Sequence, residues 1–319
     1  MNVVLRTQGL TKRYGSLTAV KDLTLEVHEG EVFGFLGPNG AGKTTSINMM
    51  CGLLKPDAGR VTMRGVTITG GGAAARARVG VCPQDIILWE RLTCLEQLQF
   101  IGQMYGLTGR KARQRGEQLL EELDLVGKRD SQARTLSGGM QRRLNLAMAL
   151  VHDPEIVILD EPDAGLDPQS RVRVREYIRS LAHKKTVIMT THNMDEAERL
   201  ADRVAIIDHG ELLVLDTPEA LKRSVGEGDV IEIGLSGPPD EGGKARTALR
   251  QSFEGDQAVA PMVDVADSTL MERAFNAVGM IPAILEVLAA AGIRCGEVRL
   301  RQNTLEDVFI QLTGRRLRE

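Results

Sequence analysis

Long apolar runs are missing from this chain. None approaches the roughly 18 residues that would suggest a membrane span, so the sequence reads as soluble. If it serves a membrane process, another polypeptide must cross the bilayer. Met1 to Leu10 holds one Arg and no apolar core region, so no signal peptide is expected. Cysteine pairs are missing too. Cys51, Cys82, Cys94 and Cys295 are scattered, with no C-x-x-C, which disfavours a disulfide framework or a zinc site and fits a reducing compartment. Each reads as a small buried hydrophobe. There is no excess of positive charge. A formal net charge of -3 gives no sign of a nucleic-acid binder driven by bulk charge. Aromatics are few: one Trp, three Tyr and six Phe. Apolar content is ordinary, so a sizeable core is available, and 319 residues allow one large domain or two.

Against these absences stands Gly37-Pro38-Asn39-Gly40-Ala41-Gly42-Lys43-Thr44, which fits the phosphate-loop pattern G-x-x-x-x-G-K-[ST] without mismatch. Its flanks are right. Val32-Phe33-Gly34-Phe35-Leu36 reads as a buried strand, and Thr45 to Met50 as a helix that Gly52 and Pro56 stop. Glycines at 37, 40 and 42 are expected to permit positive φ and so turn backbone N–H groups inward. The helix adds its free N–H groups and positive dipole end. In this pattern Lys43 reaches the β- and γ-phosphates and the Thr44 hydroxyl binds Mg²⁺. Upstream, Lys12-Arg13-Tyr14-Gly15 reads as a turn whose aromatic can stack on an adenine ring.

Further along, Leu23, Leu25 and Val27 alternate with polar residues as in a half-buried strand. Gly59 to Gly65 reads as another strand. Gly70-Gly71-Gly72 and Ala73-Ala74-Ala75 read as a flexible join into a small helix. Val79 to Cys82 is a strand breaking at Pro83. Thr93 to Val126 reads as helical, with stripes at Leu95, Leu98, Ile101 and at Leu119, Leu120, Leu123, Leu125. Ser137 is a plausible N-cap of a helix with Leu144, Met148 and Val151 on one face. Ile156 to Leu159 is a central strand ending in two carboxylates, Asp160 and Glu161. Asp167-Pro168 starts a helix, Thr186 to Thr191 is a strand ending at His192, and Val204 to Asp208 is another. Alternating strands and helices argue for a mostly parallel, helix-covered sheet. The character changes around Ser224 to Gly228, and Pro238-Pro239 lies in a turn-rich break. The smaller unit beyond has strand candidates at Val230–Ile233, Pro261–Val265 and Val298–Leu300. Its helix candidates are Ala245–Phe253, a face of Ile284, Leu285, Leu288 and Ile293, and a final Leu305–Leu312. The tail Arg315-Arg316-Leu317-Arg318 is too short a basic run for a nucleic-acid patch and reads as solvated.

One fragment is more specific than the loop. Leu136-Ser137-Gly138-Gly139-Met140-Gln141 stands about twenty positions before the apolar run ending in Asp160-Glu161. Taken in order, these motifs make residues 3 to 220 resemble the nucleotide-binding subunit of ATP-binding cassette (ABC) transporters. The resemblance implies an α/β fold: a P-loop NTPase core of the ABC ATPase kind with a helical subdomain insertion, plus a small α+β C-terminal domain. The expected boundaries are 1–225 for the ATPase domain, with the helical subdomain at about 89–150, and 226–319 for an accessory or dimerisation domain.

The resemblance also implies roles. Tyr14 would stack on adenine, and Gly37, Pro38, Asn39, Gly40, Ala41, Gly42, Lys43, Thr44 and Thr45 would cradle phosphates. Thr44, Gln84 and Asp160 would hold Mg²⁺. Glu161 would be the general base, with His192 and Lys43 as its catalytic companions. Ser137, Gly138 and Gly139 would close over the ATP of a partner subunit, with Asp167 in a dimer-contact loop. Asp163 departs from the family, which usually has Thr or Ser there. An extra carboxylate could weaken nucleotide binding or slow turnover, or bind a cation or a partner Arg.

Asn303-Thr304-Leu305-Glu306-Asp307-Val308-Phe309, then Leu312-Thr313-Gly314-Arg315, looks like the ending of drug-resistance and ABC-2-type exporter ATPases, of which daunorubicin-resistance ATPases are the best known. Met104-Tyr105-Gly106-Leu107 is similar to that branch as well. The implied protein is an ATP hydrolase coupled to transmembrane transport of a drug-like or lipid-like substrate. It would work as a homodimer at the inner face of the cell membrane, attached to a separate ABC-2-type permease, with no nucleic-acid partner. The alternatives are export of polysaccharide or ions, and a soluble ABC ATPase acting on nucleic acid or the ribosome. The last usually carries two cassettes, a long coiled coil or zinc-binding cysteines, none of which is present here.

Overall fold

The computed structural model describes residues 2–68, 77–225, 228–236, 241–253, 259–266, 269–274 and 277–314. The expected join at Gly70 to Ala75, Pro238-Pro239 of the turn-rich break and the tail from Arg315 to Arg318 lie outside them. The chain divides into two compact units between Pro218 and Glu219.

The first unit is built on a six-stranded sheet. Its order is β10 (Glu211–Asp216), β9 (Arg203–Asp208), β3 (Val32–Leu36), β8 (Thr186–Thr191), β7 (Ile156–Asp160) and β6 (Val79–Cys82). Only β10 runs antiparallel to its neighbour. The strands β3, β7 and β8 are buried over their whole length. That explains their unbroken apolar runs: a parallel sheet is covered on both faces. Alternate side chains enter opposite cores. Val157, Leu159, Val187 and Met189 join one cluster with helical residues such as Leu119, Leu144, Val174 and Ile178. Ile156, Ile158, Ile188, Phe33 and Phe35 join another, with Ile47, Met49 and Met50 of α1 (Lys43–Met50).

That second cluster is closed by an antiparallel sheet ordered β2 (Leu17–His28), β1 (Val3–Tyr14), β4 (Ala58–Met63) and β5 (Val66–Thr67). Leu23, Leu25 and Val27 point inward as their alternation predicts. The short β5 has no apolar signal, and both its residues are exposed.

The stretch expected to be helical from Thr93 to Val126 is two helices, α2 (Cys94–Met104) and α3 (Gly109–Glu122). Thr93 and Glu96 form a reciprocal capping box: Glu96 N–H donates to Thr93 Oγ1 at 3.2 Å and Thr93 N–H to Glu96 Oε2 at 2.8 Å. The break falls at Gly106, whose φ is +88°. Leu123 and Leu125 lie beyond the helix yet are buried. The next helix, α4 (Gly138–Leu150), corrects the single-face reading. Every residue from Arg142 to Ala147 is buried, and Met148 is only partly so. The reason is position: α4 packs against β6, α2, α3 and α5 (Pro168–Leu181) together. After β8 comes α6 (Met194–Leu200).

The second unit begins along α7 (Pro218–Ser224). Its antiparallel sheet has the order β12 (Val259–Ala266), β13 (Thr269–Ala274), β11 (Asp229–Leu235) and β14 (Cys295–Arg301). The strand β13 was not expected from the sequence. Ile231, Ile233 and Leu270 form a core with Leu249 of α8 (Glu241–Ser252) and with Ile284 and Leu288 of α9 (Ala277–Ala290). Ile293 is buried too, but past the end of the helix. In α10 (Leu305–Thr313), Leu305, Val308 and Phe309 are buried while Leu312 is exposed. Arg301 fixes the start of α10. It bonds Glu232 at 2.6 Å and forks onto Asp307 at 2.6 and 2.9 Å, and Asp307 also accepts the Thr304 N–H at 2.8 Å. Burial pushes the Asp307 carboxyl up, but these donors outweigh it and hold it low.

Candidate nucleotide site

The loop after β3 turns back on itself and starts α1 at Lys43. Gly40 and Gly42 take the left-handed conformation, with φ of +82° and +97°. Gly37 corrects the expectation: it is not in that region. It is glycine for space, since a Cβ there would stand 2.3 Å from the Ile207 carbonyl oxygen and 3.1 Å from Ala41 Cβ. The loop is tied down by Ala41 N–H to Pro38 O at 3.1 Å and Gly210 N–H to Ala41 O at 3.0 Å.

Lys43 is buried. Its Nζ donates to Gly37 O at 2.8 Å and Pro38 O at 3.1 Å and lies 3.8 Å from Glu161 Oε1. Burial lowers the ammonium pKa, while Glu161 and Asp160 push the other way. Thr44 Oγ1 donates to Asp160 Oδ2 at 3.1 Å. Asp160 Oδ1 accepts from the Thr190 hydroxyl, and Thr190 Oγ1 accepts the Glu161 N–H at 3.0 Å. Glu161 itself is a non-glycine with φ +45°. Its buried carboxylate meets His192 Nδ1 at 3.0 Å and accepts from Gln84 Nε2 at 3.3 Å. The structure thus brings Lys43, Thr44, Gln84, Asp160, Glu161 and His192 together from four separate segments.

In front of them opens a cavity of about 530 Å³, lined by residues that include Tyr14, Asn39, Gly40, Lys43, Thr44, Thr45 and Glu161. Leu17, Thr18, Ala19 and His209 also line it, and no sequence motif marks them. Tyr14 is half exposed at the mouth, with Lys12 Nζ 5.7 Å from its ring centre.

Ser137, Gly138, Gly139 and Asp167 do not line this cavity. Ser137 caps α4, accepting the Met140 N–H at 3.4 Å. Asp167 caps α5, accepting from Gln169 and Ser170 at 3.0 Å each, and its pKa is lowered by its bonds to Ser170. A Cβ on Gly139 would stand 2.1 Å from Ser170 Oγ, whereas one on Gly138 would meet nothing within 4 Å. Asp163 is not in the cavity lining either. Its carboxylate lies 3.8 Å from Arg171 Nε and faces Glu196, which is fully buried and takes a 2.8 Å bond from Arg175. Burial and then Asp163 raise the Glu196 pKa to about 7 against the pull of Arg175.

Arg142 is the residue that sequence reasoning missed. It is one of the largest fully buried side chains. Its Nε donates to Pro162 O at 2.9 Å, Nη1 to Pro83 O at 2.6 Å and Gln84 O at 3.0 Å, and Nη2 to Asp160 O at 2.9 Å and Glu161 O at 2.8 Å. The available signal was its place three residues after Gly139 and four before Leu146, both buried on α4.

The donor set fits a nucleoside triphosphate with a divalent cation. The Lys43 ammonium is held against the loop carbonyls, and the Thr44 hydroxyl, the Asp160 carboxylate and the Gln84 amide stand beside it, a ligand set suited to Mg²⁺.

Residues 20–164 match the ABC transporter family. A linearmycin resistance ATP-binding protein of Bacillus subtilis (strain 168) is 36% identical, with 99% of this chain and 100% of that protein covered. A Nod factor export ATP-binding protein I of Ralstonia nicotianae is 40% identical over 99% of this chain and 95% of its own length. A daunorubicin resistance ATP-binding protein of Streptomyces coeruleorubidus is 37% identical over 98% and 95%. Among solved structures, an ATP-binding subunit of an ABC transporter matches with TM-score 0.63 and 29% identity, covering 69% of this chain and 92% of its own. A dimeric ATP-binding cassette in a post-hydrolysis state bound to ADP and Pi matches with TM-score 0.62 and 26% identity, covering 67% and 98%. The fold is that of a P-loop ATPase of the ABC kind. The chain belongs to the ABC transporter family, as an ATP-hydrolysing subunit coupled to transport.

Proposed function

We propose that this chain is the homodimeric motor of an exporter, working beneath a separate ABC-2-type permease at the cytoplasmic face of the membrane. Relatives named for linearmycin and daunorubicin resistance and for Nod factor export support a drug-like or lipid-like cargo. Among the described residues no helix is long and apolar enough to cross a membrane, which agrees with a permease supplied by another chain. Ile87, Trp89 and Phe100 are exposed near Gln84, with Trp89 packed edge-on against Phe100 at 5.2 Å, a surface suited to a short helix of that permease. Residues 1–225 would be the ATPase, with helical residues 89–150 passing on its motion, and 226–319 the accessory domain.

The observation that carries the reading is the contact of Glu161 with His192, Gln84 and Lys43 at the end of β7. Lys43 and the loop N–H groups bind the phosphates, and Tyr14 stacks on the base. A divalent cation on Thr44, Gln84 and Asp160 would neutralise phosphoryl charge. Glu161 accepts the proton of the attacking water, and His192 holds that carboxylate and the γ-phosphate in line. Water adds to the γ-phosphorus and the bond to the β-phosphate oxygen breaks, leaving ADP and phosphate. Ser137, Gly138 and Gly139, turned away from this chain's own cavity, close over the nucleotide of the second copy.

Replacing Glu161 with Gln should leave ATP affinity intact, slow hydrolysis roughly 10²–10⁴-fold, and accumulate an ATP-bound dimer in size-exclusion chromatography. Steady-state hydrolysis at the unmodified rate would remove Glu161 from its role.

A further inference from the structure

An arginine side chain has five N–H donors in a rigid fork. All five of Arg142 are used, each on a backbone carbonyl, and among the described residues no carboxylate hydrogen-bonds to it. Three of those carbonyls are consecutive, from Asp160, Glu161 and Pro162, and two are consecutive on the far side of the fork, from Pro83 and Gln84. The chain therefore wraps around the guanidinium where Glu161 takes its left-handed φ of +45°, a conformation costly for a residue with a side chain. Gln84 and Glu161 also touch through their side chains at 3.3 Å. Arg142 itself sits on the first turns of α4, the helix that opens at Ser137 and Gly138.

We propose that Arg142 is a positioning residue: it holds the strained turn carrying Glu161 and the Gln84 segment on one fork, so that a shift of the helix beginning at Ser137 moves both together. This rests on the reading of Glu161 as the base. Arg142 is not in the lining of the cavity and has no bond to Lys43, Thr44 or Tyr14, so it acts on turnover and not on nucleotide affinity. A lysine cannot replace it, since one ammonium has three donors at a single point and cannot reach two segments with a planar fork.

The test uses the full chain with Arg142→Lys, Arg142→Gln and Glu161→Gln, choosing variants that show a cooperative melt. Nucleotide affinity is read by titration with a fluorescent ATP analogue, turnover by phosphate release, and backbone protection by hydrogen exchange over residues 83–86 and 160–164. The expected result for Arg142→Lys is an affinity within about threefold of the unmodified chain, kcat lower by on the order of 10²-fold, as a misplaced catalytic group gives, and faster exchange in both segments at once. Unchanged kcat in a folded Arg142→Lys variant overturns the proposal. So does equal loss of affinity and kcat, which marks a general packing role, or faster exchange in one segment alone. If Glu161→Gln hydrolyses normally, the reading of the base fails by itself, while the exchange result still decides whether Arg142 ties the two segments.

Discussion

Gly42 lies so close to Ala19 that a Cβ on it would stand 2.4 Å from the Ala19 carbonyl oxygen. The contact joins the phosphate loop to β2, and with φ at +97° it leaves no room for any side chain. Gly42→Ala should therefore destabilise the fold by about 1–3 kcal/mol from backbone strain alone, and more from the collision. Calorimetry and an ATP titration check this together, and both should show a loss.

Gly138 is the opposite case. A Cβ there meets nothing in this chain, and its φ is not positive. Gly138→Ala should melt at the same temperature as the unmodified chain or slightly higher, because Ala favours a helix over Gly by up to ~1 kcal/mol. If Gly138 faces a partner's nucleotide, the same variant should lose ATP-dependent dimerisation and hydrolysis. Intact hydrolysis would argue that these glycines do not close a shared site.

The buried Glu196 predicts a pH dependence. Its pKa rises from 4.5 to about 7 on folding, chiefly by burial and then by Asp163. The native state thus holds a proton that the unfolded state has released between those values, so stability is present in full below pH 4.5 and falls as pH rises through 7. Glu196→Gln mimics the protonated form and can still accept the Arg175 bond. Its stability should exceed that of the unmodified chain at pH 8, by at most ~3 kcal/mol, and the gap should close towards pH 4.5. Asp163→Thr should move the midpoint down without restoring an ordinary value, since burial remains. Denaturant melts across the pH range measure both.

Thiol chemistry should single out one cysteine. Cys51, Cys82 and Cys94 are buried, and burial pushes their thiols up, Cys82 and Cys94 to about 11. Cys295 is only partly buried. An aromatic disulfide reagent should label one thiol quickly in the native state, and Cys295→Ser should remove that phase.

The phosphate loop was legible because its logic is local: eight consecutive residues carry the turn, the donors and the start of α1. The strand ends at Asp160 and His192 were legible for the same reason. What escaped depends on the rest of the fold. Gly37 is glycine because Ile207 passes over it, 170 positions away in the chain. The helix α4 shows a one-sided pattern only if its neighbours are ignored, and four elements surround it. Arg142 reads as one surface charge in Gln141-Arg142-Arg143 until five carbonyls from distant segments are seen to meet on it. Thr190 and His209 carry no motif and are placed only by the sheet. Asp163 was legible as a departure, but its partners Arg171 and Glu196 were not.

The place of β3 in its sheet also sets a timetable. This strand lies between β8 and β9, and the loop it launches is held by Ile207 and by the Gly210 N–H on Ala41. During synthesis Lys43 leaves the ribosome long before any of those residues exists. At roughly 5–20 residues per second, a delay on the order of ten seconds separates the two. For that interval the loop has its glycines and its lysine but no walls, and a nascent chain halted before β9 should be unable to grip ATP.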